Sequence, residues 1–197
     1  PSDVTVALTA TPPSCNNGCN GSITSTVSGG SPAYTYNWST GSTATNVSGL
    51  CTGNYTLTVT DSKGCPKTAT INISNPPPIA ITTTAVAITC AGSCDGQAFA
   101  SASGGTPGYN YQWNTLPITS GTVATNLCSG NYVVTVTDSQ GCTNSANVLI
   151  TAPPALIANI TGIKPSCNAC TGGATVTAGG GTPVYTYSWI PSAQTSS

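Results

Sequence analysis

The residues of this chain best placed to do chemistry are its ten cysteines. They are spaced periodically. Cys15, Cys19, Cys51 and Cys65 return as Cys90, Cys94, Cys128 and Cys142, and the series begins again at Cys167 and Cys170. Cysteines can pair as disulfides, hold a metal or stay free as thiols. A zinc site usually shows C-x-x-C units, often with His. Here the leading pair is C-x-x-x-C twice and C-x-x-C once, and the chain has no His. All ten are therefore expected in disulfides, in an oxidising compartment, with no metal and no other cofactor.

Other reactive groups are scarce. Charged residues make up 4% of the chain, and Arg, Glu and Met are absent along with His. The acids are Asp3, Asp61, Asp95 and Asp138; the bases are Lys63, Lys67 and Lys164. Enzymes need a positioned acid, base or activated nucleophile. The abundant Ser and Thr have no base beside them, so no enzymatic activity is expected. A net charge of -1 lacks the basic footprint of nucleic-acid binding. No apolar run is long enough to span a membrane as a helix. Four Asp spread along the chain are too few for a calcium site of six to eight oxygens in each copy. An isopeptide cross-link would need a Lys in each copy, but Lys67 has Asn144 as its counterpart.

The elements that position the cysteines repeat with them. Ile23, Ser25 and Val27 alternate with Thr24 and Thr26, which is the period of a strand with one buried face. Gly29-Gly30-Ser31-Pro32, Gly104-Gly105-Thr106-Pro107 and Gly180-Gly181-Thr182-Pro183 are turns. Each leads into a strand with aromatic residues on one face, ending at Trp38, Trp113 and Trp189. These three Trp are expected in the core, the alternative being an aromatic platform for sugars. A short strand is expected near Ala44 to Val47. Tyr55 and Tyr132, each just after a Gly corner, suggest the tyrosine corner of immunoglobulin-like sandwiches. Leu57 and Val59 then point inward, and Asp61-Ser62-Lys63-Gly64 closes a hairpin, as does Asp138-Ser139-Gln140-Gly141.

No helical period appears. The fold expected is all-β: tandem immunoglobulin-like sandwiches joined end to end, at 1–75 and 76–152, with the front of a third at 153–197. Each is small for an independent core, and disulfides are the expected supplement. Asn75-Pro76-Pro77-Pro78 and Ala152-Pro153-Pro154 are semi-rigid joints, which favours a rod of domains. The third copy stops after Trp189, as expected of a piece of a longer protein.

Cys51 and Cys65 flank a strand about 20 Å long and should not pair with each other. Three arrangements remain: Cys15–Cys65 with Cys19–Cys51, Cys15–Cys51 with Cys19–Cys65, or a bond between copies from Cys15 to Cys142. The first is preferred, with Cys90–Cys142 and Cys94–Cys128 in the second copy.

Cys-Asn-Gly-Ser, then Gly-Gly-Ser-Pro-Ala-Tyr-Thr-Tyr-Asn-Trp-Ser, then Leu-Cys-Thr-Gly-Asn-Tyr-Thr-Leu-Thr-Val-Thr-Asp-Ser-Lys-Gly-Cys, together resemble the SprB-type repeat. Such repeats occur in large surface adhesins of gliding Bacteroidota and are similar in pattern to PKD domains. The resemblance implies an extracellular, repetitive, PKD-like adhesin or filament, exported by type IX secretion and linked to gliding motility and cell adhesion. It also implies the pairs Cys15–Cys65 and Cys90–Cys142, because family members with two cysteines keep the first and last. It supplies no catalytic or ligand residue.

The function expected is the structural shaft of an extracellular filament or cell-surface adhesin. Its partners would be neighbouring repeats or copies of itself. The alternative is a module that binds surface glycans through the aromatic strand and the outward Thr rows.

Overall fold

The computed structural model describes residues 3–165 and 172–189, and every regular element among them is a strand. The first copy contributes β1 (Thr5–Thr11), β2 (Gly21–Ser28), β3 (Thr35–Trp38), β4 (Val47–Leu50), β5 (Gly53–Thr60) and β6 (Pro66–Ile73). The second contributes β7 (Ala80–Val86), β8 (Gly96–Ser103), β9 (Asn110–Trp113), β10 (Thr119–Ser120), β11 (Val123–Leu127), β12 (Gly130–Thr137) and β13 (Thr143–Ile150). The third contributes β14 (Ile157–Ile163) and β15 (Gly173–Gly179).

In the first copy one sheet has the order β1-β2-β4 and the other β3-β5-β6. In chain order this is the A-B-E and C-F-G arrangement of an immunoglobulin-like sandwich without strand D. The second copy repeats it as β7-β8-β11 and β10-β9-β12-β13. Between Trp113 and β11 it has β10, which adds one edge strand beside β9.

Alternation decides which face is buried. On β5, Leu57 and Val59 are fully buried while the Thr between them are only partly covered. Ile23, Trp38, Leu57, Val59 and Ile73 form the centre of the first core, flanked by Tyr34, Tyr36 and Tyr55. The Trp38 indole N–H donates to the Ala44 carbonyl at 2.8 Å, so this large ring is buried without an unmet donor. Trp113 does the same with Gly121 at 2.9 Å. The tyrosine corner is present in both copies: the Tyr55 hydroxyl donates to the Cys51 carbonyl at 2.9 Å, and Tyr132 to Cys128 at 3.2 Å.

The short strand expected near Ala44 starts only at Val47. Residues 44–46 are held by other bonds instead. Ala44 accepts from Trp38, the Thr45 carbonyl accepts from the Ser25 hydroxyl, and the Asn46 side chain accepts from the Ser25 amide. Their polar groups are engaged outside the ladder, which therefore begins later.

The chain divides into two compact units. One comprises Pro1–Thr82, Ser101–Gln112 and Thr135–Ala146; the other comprises Thr83–Ala100, Trp113–Val134 and Asn147–Ser197. The first unit holds the whole first copy together with the hairpin that carries Cys142.

Candidate functional site

The loop between β1 and β2 carries Cys15 and Cys19. It is closed locally, with Gly18 N donating to Cys15 O at 2.9 Å and Ser14 N donating to the Asn20 side chain at 3.0 Å. In the second copy Asp95 takes the place of Asn20. It accepts from the Thr89 amide and hydroxyl and from the Ser93 hydroxyl, and these bonds, the Thr89 hydroxyl first, lower its pKa to about 2.

Cys19 is bonded to Cys51 at the start of β5, and Cys94 to Cys128 in the second copy. These bonds pin the loop to one end of the sandwich. That end faces the Pro-rich joint: Asn16 Nδ2 donates to Pro76 O at 2.8 Å, and Asn17 N to Asn75 Oδ1 at 2.9 Å.

Cys15 is therefore bonded to Cys142 of the second copy, with the Cα atoms 5.5 Å apart. This corrects the preferred pairs Cys15–Cys65 and Cys90–Cys142. The reason is geometric. Cys65 follows the far end of β5, eight residues from the end that Cys19–Cys51 ties to the Cys15 loop. At about 3.3 Å per residue that separation is roughly four times the span of a disulfide. Cys65 and Cys90 are free and exposed, against the expectation that all ten cysteines are bonded. Cys167 and Cys170 lie outside the described residues.

The hairpin bearing Cys142 is fixed by a buried carboxylate. Asp138 accepts from Thr106 N, Gln140 N and Cys142 N, each at 2.9 Å. Asp61 accepts from Ser31 N, Lys63 N and Cys65 N at 2.9 to 3.0 Å. Each carboxylate thus ties the β5–β6 or β12–β13 hairpin to the Gly-Gly turn. The bonds from Ser31 and Thr106, foremost, lower the two pKa values from 3.8. Sequence reasoning placed both Asp in turns but missed this second attachment. Its signal is an Asp recurring downstream of the Gly-Gly-(Ser/Thr)-Pro turn in the first and second copies. Asn144 Nδ2 completes the junction, donating to Ile79 O at 2.7 Å.

Of the expected core aromatics, Trp38 and Trp113 are buried, Tyr55 and Tyr132 are partly buried at their corners, and Trp189 is 56% exposed. Buried Trp38 and Trp113 have no free ring face for a sugar. The six bonded cysteines have no thiolate to offer a metal.

The SprB repeat family model matches three segments, 7–43, 82–117 and 165–194, together more than half of the chain. The chain belongs to the SprB repeat family. SprB repeats occur in cell-surface proteins. Here the first two SprB matches start within β1 and β7 and stop short of the hairpin cysteines Cys65 and Cys142, and the third starts just after β14. No curated protein matches the chain. A solved structure, an amphioxus IgVJ-C2 molecule, is 17% identical, covering 75% of this chain and 96% of that one with a TM-score of 0.32. The immunoglobulin-like assignment rests on strand order and corner geometry instead.

Proposed function

We propose that this SprB repeat region is a load-bearing segment of an extracellular filament or cell-surface adhesin shaft. The observation that supports it is the Cys15–Cys142 bond, which spans a sequence separation of 127 residues. In a chain pulled from its ends, the shortest covalent path enters at Cys15 and leaves at Cys142. The residues between, including all of β2 to β12, then carry no tension through the peptide backbone. A sandwich held mainly by hydrogen bonds and a small core is thereby shielded from stretching. The composition agrees with a structural role, since His and Glu are absent and the carboxylates of Asp61, Asp95 and Asp138 are engaged in holding turns. Association with copies of itself or with surface glycans belongs to the same proposal. Threonine rows on the exposed sheet faces and Trp189 are the surfaces available for it.

Single-molecule extension tests the load path. Pulled by its ends in oxidising buffer, the chain should release only the residues outside 15–142. Reduction should add about 40–45 nm of contour length, the extended span of some 126 residues at about 3.5 Å each. Full extension without reductant would show that the bond carries no load and would remove the main support for a shaft.

A further inference from the structure

Cys65 and Cys90 are not random leftover thiols. Cys90 occupies in the second copy the place of Cys15 in the first, and Cys65 occupies the place of Cys142. Each is therefore one half of a bond whose complete form is present once, as Cys15–Cys142.

The surroundings of Cys90 carry the argument further. The turn of the third copy is built like that of the second. Gly181 N donates to Pro154 O at 2.7 Å as Gly105 N donates to Pro77 O at 3.0 Å. The Tyr185 hydroxyl donates to Gly180 O as Tyr109 does to Gly104 O. In the second copy this turn receives Asp138 and its hairpin through Thr106 N. The matching ground in the third copy is open. A cleft of about 610 Å³ is lined by Cys90, Pro154, Leu156, Gly181, Tyr185 and Tyr187, among others. Leu156 is 66% exposed there, whereas its counterparts Val4 and Ile79 are 6% and 5% exposed. Apolar surface, receiving turn and thiol thus lie together where the first two copies are covered by a hairpin.

We propose that Cys90 forms a second inter-repeat disulfide with the hairpin cysteine of a following repeat of the same family, whose Asp-containing hairpin docks in this cleft. Cys65 is the complementary half, facing the Cys15-type loop of a preceding repeat. Bond formation is an exchange with a low-molecular-weight disulfide. The two cysteine thiols lose two protons and two electrons, one S–S bond forms, and the disulfide reagent is reduced to two thiols, which take up those protons. This deepens the shaft reading and rests on it for its purpose. Its own readout, covalent connectivity, is separate from the load measurement above.

The test extends the chain after Ser197 by a second copy of residues 121–152, which supplies the strands and hairpin of a complete third repeat. The protein is oxidised in a glutathione buffer and its peptides are mapped without reduction. Cys90 should be joined to the appended counterpart of Cys142, and thiol labelling of Cys90 should be lost. A Cys90 that stays free, or bonds elsewhere, while Cys15–Cys142 is intact overturns the proposal. The unextended chain gives an independent reading. Under native conditions a thiol reagent should label Cys65 and Cys90 and spare Cys15 and Cys142. Labelling of Cys15 or Cys142, or covalent dimers joined through Cys90, would overturn it, the latter by assigning this thiol to self-association.

Discussion

Trp113 has no solvent exposure, and its only polar group is satisfied by Gly121. Trp113→Ala removes the largest buried group of the second copy and should cost about 3–5 kcal/mol, read from denaturant midpoints. An unchanged midpoint would mean that this core does not hold the domain. The three lowered aspartates set the pH response. Their folded pKa values lie below 3.8, with Asp95 at about 2. The stability they contribute is therefore complete above the ordinary carboxylate value and is lost as pH falls from about 4 toward 2. Melting temperature should be flat between about pH 7 and 5 and should drop below about pH 4. Asp138→Asn should lower it at neutral pH and make the acid limb shallower. A limb of unchanged steepness in that variant would exclude Asp138 as a contributor.

At the level of elements, most strands are legible because each is specified by its own side chains. Ile23 with Thr24, or Leu57 with Thr58, places one residue inward and the next outward whatever the rest of the chain does. β4 begins later than expected because Trp38 and the more distant Ser25 capture the polar groups of residues 44–46. The Gly-Gly turn shows how closely two elements meet. Gly105 has φ +57°, and a Cβ there would lie 2.6 Å from Asp138 Oδ2 and 2.8 Å from Ile79 Cγ1. Gly105→Ala should destabilise the second copy by about 2 kcal/mol or more, combining left-handed strain with displacement of the hairpin. Thermal unfolding reads this, and a neutral result would show that the hairpin is free to shift.

At the level of the molecule, the Cys15–Cys142 bond closes a loop with a sequence separation of 127. Restricting the unfolded chain this way contributes up to ~5 kcal/mol in the loop-closure account. The double variant Cys15→Ser, Cys142→Ser should lose part of that in chemical denaturation while keeping its strand content by circular dichroism. Equal stability would show that the contacts of Asn16 and Asn17 with the Pro-rich joint suffice to hold the junction.

The sequence alone determined the repeat, the all-β class, the turn positions and the inward side chains of Trp38 and Trp113, though it also placed Trp189 in a core where the structure leaves it exposed. All of these follow from local alternation and from residues with special backbone or turn chemistry. It also excluded a bond between Cys51 and Cys65, because strand length is a local quantity. The tertiary structure alone decided that Cys15 belongs to Cys142, that Cys65 and Cys90 are free, and that Asp61 and Asp138 tie hairpin to turn. Those outcomes depend on which ends of two sandwiches meet in space. Spacing along the chain carries no information about that until Cys19–Cys51 and the Pro-rich joint place the loop at the junction.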